Sequence, residues 1–216
     1  MEGVDPDMNR SGRTQVVRHR MVLPVSFFRR PAEVVAHDLI GTVLVSTVRG
    51  VRTAGRIVEV EAYLGHRDPA SHGYRNRRHA QNEGLYGPAG SWYVYLSYGV
   101  HWCANLVAGR TPNEGAVLIR ALEPLEGLPA MRRRRGGVPD RVLAAGPGRL
   151  TQALGVTRSL DQLPMRGAPV EVYRGEPLAA PVATPRIGIT KAVDLPWRFA
   201  IAGARDVSRP RPPGWR

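Results

Sequence analysis

GRIVEVEAYLGHRDPASHGYRNRRHAQNEGLYGPAGSWYVYLSY, residues 55–98, sets two alternating runs on either side of a long polar loop. Alternation of period two marks strands. In the first run, over 56–64, Val58, Val60, Ala62 and Leu64 offer a core face, and Ile57, Glu59, Glu61 and Tyr63 offer the other. In the second, over 91–98, Trp92, Val94 and Leu96 suit the core, Tyr93 and Tyr95 face away, and Tyr98 sits at the tip before the turn-former Gly99. The loop between the runs is too long to be a mere connection in a compact domain, and loops of that length are usually functional or disordered. It carries His72 between a strand that offers carboxylates and a strand that offers rings.

Working outward, 216 residues without an obvious internal repeat suit one domain with its own core. Residues 1–20 lack periodicity and read as a disordered arm; the domain is expected over 21–207 and a basic tail over 208–216. After Pro31, AEVVAHDLI ending at Gly41 reads as a short helix. Residues 42–48 and 51–64 read as a hairpin around Arg49-Gly50. Further strands are expected at 91–98, 101–108, 116–122, 170–173, 186–189 and 198–201, with helices at 125–135, 141–145 and 149–154. Strands joined by short turns pair antiparallel, and the helices are grouped rather than alternating with them. The expected class is therefore α+β, a single domain with a curved antiparallel β-sheet flanked by helices.

The formal charge is +13, and Lys191 is the only lysine among 31 basic residues. Guanidinium groups fork onto phosphate and stack on flat rings, so nucleic acid is the first partner to consider, with an anionic membrane surface as the rival. No apolar run approaches a bilayer span, and no wide-faced basic amphipathic helix is apparent. Cys103 is alone, so neither an intrachain disulfide nor a cysteine zinc site is available. The expected location is cytoplasmic, at the nucleoid, and the expected state a monomer.

Glu59 and Glu61 share a strand face. The plain reading is two solvent-facing acids; paired carboxylates also suit acid and base work on a glycosidic bond, or a divalent cation. A metal would need more oxygen ligands than Asp68 and Glu83 supply, and the spacing of His66, His72 and His79 fits no shared face, so no metal is expected. Tyr93, Tyr95 and Tyr98 are either ordinary strand aromatics or a stacking platform with a wedge. Residues 132–135, four arginines, are either a solvated helix end or a phosphate-tracking patch. Gly146-Pro147-Gly148 before a helix is equally readable as a plain loop or an anion-binding start.

Taken in order, FFRRPAEVVAHDLIGTVLV, GRIVEVEAYLG, DPASH, WYVYLSYG followed by HWCANL, VLIRALEP, AAGPGRLTQALG and PRIGI followed by PWRF resemble the alkyladenine (3-methyladenine) DNA glycosylase family over residues 24–207. The resemblance implies a monofunctional hydrolase of base-excision repair. Such an enzyme binds double-stranded DNA containing damaged bases, flips out an alkylated or deaminated purine, and cuts its N-glycosidic bond without a cofactor. It implies Glu61 as general base, with Arg120 and the main-chain carbonyl near Ile187 holding the attacking water. Tyr63, His72 and Tyr95 would sandwich the base, Asn105 would crowd out guanine's exocyclic amine, and Tyr98 would fill the gap in the duplex. Arg78, Arg132 and Arg149 are expected on the DNA backbone. With Lys191 the only lysine, a water-using mechanism suits the chain better than an amine nucleophile. The alternatives are a noncatalytic nucleic-acid-binding protein that recognises modified bases, and a metal-dependent glycosidase or nuclease.

Overall fold

The first alternating run folds into β2 (Thr53–Tyr63), and the sheet is assembled around it. The computed structural model describes residues 21–176 and 180–210; the expected arm at 1–20 and residues 211–216 of the expected tail lie outside the described residues. With β2, the strands are β1 (Val43–Ser46), β3 (Trp92–Ser97), β4 (His101–Ala108), β5 (Gly115–Glu126), β6 (Val170–Tyr173), β7 (Val182–Thr184) and β8 (Arg198–Ala200). They form one antiparallel sheet in the order β3-β4-β5-β2-β1-β6, with β8 joining β2 to β7. β5 lies along one side of β2, while the other side is shared by β1, over residues 53–56, and β8, over residues 59–61. The helices among the described residues are α1 (Val25–Phe28), α2 (Ala32–Leu39), α3 (Leu128–Arg134) and α4 (Pro147–Leu154). The class is the expected α+β.

One face of the sheet meets the helices. Ile57, Val60, Ala62, Trp92, Val94 and Ile119 join Val35, Leu39, Met131 and Leu150 in a single core. Ile57 belongs there although the alternation of β2 would send it away with Glu59. The register against β5 jumps from Ile57↔Leu122 to Glu59↔Ala121, leaving Val58 as an extra residue that reverses the phase. A second jump, to Val60↔Ile119, leaves Arg120 as the extra residue of β5.

The opposite face is roofed by residues 64–91 rather than by a helix. Three turns of 3₁₀ helix shape this loop, and three buried polar side chains pin it. Asn82 Nδ2 donates to the carbonyls of His72 and Arg77, Asn113 Nδ2 to that of Gly73, and the Asp68 carboxylate accepts from the amides of Leu64 and Ala70. A roof of irregular chain must have its polar groups satisfied in this way.

Several expectations change. Leu96, placed in the core by alternation, is exposed because it lies beyond the helices, on the projecting end of the β3–β4 hairpin. Residues 186–189 are not a strand: the edge beside β8 is taken by β7, and Arg186 turns its side chain inward. Residues 125–126 extend β5 and delay α3 to Leu128, and 141–145 holds only a 3₁₀ turn, Asp140–Val142. Ser208, the first residue of the expected basic tail, is buried, so the packed chain continues past 207.

Gly65, just after β2, has φ +54, and a Cβ on it would stand 1.9 Å from the Asn113 carbonyl oxygen. Both the backbone region and the contact exclude a side chain. Gly65→Ala is expected to cost about 2 kcal/mol or more in urea unfolding and to loosen the roof, seen as faster amide exchange across 64–76.

Candidate active site

Register carries the key side chains into one row. Tyr93 pairs with Asn105, Asn105 with Leu118, Leu118 with Glu61, and Glu61 with Arg198, so these residues share the face turned away from the helices. Tyr95 lies one pleat along β3 and Tyr63 one pleat along β2. Between this face and the roof lies a cavity of about 1260 Å³, lined among others by Tyr63, His72, Tyr93, Tyr95, Asn105 and Arg120.

Glu61 lies beneath that cavity, fully buried. Its Oε2 accepts from the Tyr63 hydroxyl at 2.8 Å and from Arg120 Nη1 at 3.0 Å, and its Oε1 accepts from the Ile187 amide at 2.7 Å. Tyr63, Arg120 and Ile187 all line the cavity. A carboxylate has about four acceptor positions, so these donors leave one for a water. Burial raises the Tyr63 phenol pKa far above its ordinary value, and the Glu61 charge adds to this, so Tyr63 keeps its proton and donates. At Ile187 it is the main-chain N–H that meets Glu61.

Glu59 is also buried, contrary to the solvent-face reading. It binds Arg198 Nε at 2.7 Å, Arg120 Nε at 3.1 Å, the Ser208 amide at 2.5 Å and the Ser208 hydroxyl at 2.7 Å. Burial alone would raise its pKa. The two guanidinium groups and the Ser208 donors outweigh that and hold it below the usual carboxylate range. Arg120 is thus shared, Nε toward Glu59 and Nη1 toward Glu61.

The rings stand on the other side of the row. Tyr93 and Tyr95 stack with centroids 5.3 Å apart, and the His72 ring meets Tyr95 edge-on at 4.5 Å. His72 Nδ1 is 2.7 Å from the Tyr93 hydroxyl. Burial pushes the Tyr93 phenol up, and desolvation, with His79 nearby, lowers the His72 pKa. A phenol that keeps its proton and a neutral imidazole share this one hydrogen bond, its direction set by the imidazole tautomer. Asn105 Nδ2 donates to the Tyr93 carbonyl at 3.0 Å, which fixes the amide in the cavity wall.

Tyr98 projects from the hairpin tip, 92 % exposed and at the edge of the same cavity. It and Gly99 have φ of +51 and +70, the turn that matches strand twist. A tyrosine held there costs on the order of 1 kcal/mol, a strain typical of functional positions.

Every residue proposed for base chemistry is therefore gathered at one cavity. The three arginines expected on DNA are not. Arg78 forks onto Glu83, Arg132 onto Asp140 at 2.6 and 2.7 Å, and Arg149 reaches the Ala145 carbonyl. The basic groups that do line the cavity are Arg77, Arg120, Arg158 and Lys191, and of these the sequence reading singled out only Arg120 for this site. The reading also missed Arg186, whose guanidinium lies behind Tyr63 and pairs with Asp68. Its neighbour Ile187 on the PRIGI motif was the available signal.

A carboxylate furnished with donors beneath a hollow walled by flat rings is suited to a hydrolase that acts on a planar, ring-bearing substrate. Residues 26–205 match the methylpurine-DNA glycosylase (MPG) family, and the chain belongs to that family of DNA glycosylases. It is 50 % identical over 186 residues to a protein of Nitrobacter winogradskyi, covering 86 % of each chain. A protein of Methanoculleus marisnigri is likewise 50 % identical, over 194 residues that cover 88 % of this chain and all of that one. Both relatives are provisionally named 3-methyladenine DNA glycosylase.

The Glu59 arrangement predicts an acid dependence. A carboxyl whose folded pKa lies below its unfolded value of 4.5 contributes stability that is complete above that value and lost as pH falls through the folded one. Glu59→Gln leaves buried arginines uncompensated and is expected to cost about 3–5 kcal/mol at pH 7. It should also flatten the loss of stability below pH 4.5, which urea titrations across pH measure.

Proposed function

We propose that this DNA glycosylase flips alkylated purines out of duplex DNA and hydrolyses their N-glycosidic bond, using Glu61 as general base. The observation that supports this best is the Glu61 carboxylate, held by Arg120, Tyr63 and the Ile187 amide beside the cavity lined by Tyr63, His72 and Tyr95. A ring-alkylated purine is cationic and a good leaving group. Bond cleavage through an oxocarbenium-like state then needs a positioned water and a nearby negative charge, and one carboxylate supplies both.

Tyr63 lies on one side of the extruded base and the His72–Tyr95 pair on the other. Electron-rich tyrosine faces attract a cationic ring, and a neutral His72 does not repel it. Asn105 stands where guanine's exocyclic amine would enter. Tyr98 fills the vacated stack, which offsets part of the few kcal/mol that flipping costs. Arg77 and Arg158, which line the cavity, join Arg78, Arg132 and Arg149 as candidates for phosphate. The enzyme acts as a monomer at the nucleoid and needs no metal, so chelator leaves its activity unchanged.

A second reading has one observation in its favour: Lys191, the only lysine, lines the cavity. An amine there could attack the sugar C1′ as the base departs, and opening of the C1′–O4′ bond with loss of a proton from nitrogen would then give a Schiff base. Borohydride trapping of the chain on lesion DNA, lost in Lys191→Ala, would replace the water mechanism with this one.

Glu61→Gln is expected to keep affinity for a duplex with an abasic-site analogue and to lose base release by about 100-fold or more in single turnover. Near wild-type release would remove Glu61 from its role. Tyr98→Ala is expected to weaken binding to the same duplex about tenfold, read by fluorescence anisotropy. Unchanged affinity would end the wedge assignment. A wild-type protein that gives no alkali-labile breaks in methylated DNA would favour noncatalytic recognition.

A further inference from the structure

We propose that Asp68, by neutralising the Arg186 guanidinium packed behind the Tyr63 ring, sets the preference of the site for cationic over neutral purines. The inference rests on the proposed stacking of the base on Tyr63.

Arg186 Cζ lies 4.6 Å from the Tyr63 ring centroid and 5.0 Å from that of Trp197, so the guanidinium is held between the two rings. Its Nη1 donates to Asp68 Oδ2 at 2.5 Å and to the Ala62 carbonyl at 3.0 Å, and its Nη2 donates to Asp68 Oδ1 at 3.0 Å. Both side chains are wholly removed from solvent. Asp68 is fixed in turn by the Leu64 and Ala70 amides at 3.2 and 3.0 Å.

A cation behind an aromatic ring draws the electron density of that ring toward itself and weakens the opposite face as a seat for a second cation. It also repels that cation directly. The 4.6 Å to the ring centroid plus a stacking gap of roughly 3.5 Å puts the two charges about 8 Å apart. Water cannot screen a pair so enclosed. With Asp68 ionised the guanidinium is half of a neutral pair, and Tyr63 keeps its attraction for a cationic base.

The two single substitutions must act in opposite directions, which loss of structure cannot do. Asp68→Asn leaves a bare positive charge behind Tyr63, and Arg186→Gln leaves a bare negative one. The test measures affinity for two duplexes that differ in base charge alone. One carries 3-methyladenine, cationic, on a fluorinated sugar that resists hydrolysis; the other carries its neutral 3-deaza counterpart on the same sugar. The ratio of affinities, cationic over neutral, is expected to fall roughly tenfold in Asp68→Asn and to rise by a similar factor in Arg186→Gln. It should return to the wild-type value in the double variant and be kept in Asp68→Glu. A ratio that is unchanged, or that moves the same way in both single variants, overturns the proposal. If thermal melting shows one variant unfolded, the sign of the other decides. A wild-type protein that binds neither lesion above undamaged duplex would instead overturn the proposed function.

Discussion

Two carboxylates two positions apart on the central strand are wholly buried, and the site depends on how that is made tolerable. An isolated ionised acid in a protein interior costs several kcal/mol, and two close together repel. Arg120 lies between Glu59 and Glu61 and divides its guanidinium between them, with Arg198 completing Glu59. Arg120 can lie there because the register of β5 slips beside β2, so that an extra residue enters the strand at this level. The irregularity in the sheet is therefore what makes a buried acid possible at its centre.

That arrangement joins elements far apart in sequence. Glu59 draws in Ser208, Glu61 draws in Ile187, and Asp68 draws in Arg186, so β2 and the start of the roof hold the C-terminal third of the chain by charge-assisted bonds. Such bonds fix direction as well as distance. On the proposed function, a base entering the cavity would meet groups already in position, which is the condition under which electrostatic stabilisation is largest.

Much of this was legible in the sequence because local pattern dictates it. Alternation at 101–108 and 170–173 gave strands to the residue, and the turn chemistry of Tyr98-Gly99 gave the hairpin. The gathering of Glu61, Tyr63, Tyr95 and Asn105 follows from antiparallel register, the pinned roof adds His72, and the family motifs named those residues. What local pattern could not show was set by partners distant in sequence. Glu59 reads as a solvent acid until Arg198 and Ser208 are beside it. PRIGI reads as a strand until Asp68 takes Arg186 inward. Leu96 reads as core because alternation does not report where the helices stop. Nor does a run of like charge reveal which acids, Asp140 among them, pair with its members.

The charge of the protein and the charge of its proposed substrate make opposite demands. A chain of +13 attracts a polyanion but should repel a cationic base. Burial separates the two requirements. The buried charged residues described are Glu59, Glu61 and Asp68 against Arg120, Arg186 and Arg198, three of each sign, so the interior of the site carries no net formal charge. Among the described residues the basic excess lies on groups nearer water, where salt confines its reach to about 8–10 Å. On the proposed function, duplex and extruded base would thus be met by different fields. On the proposed function, the site would receive a cation because its buried arginines are spent on carboxylates, while the exposed groups keep the positive sign that a polyanion would meet.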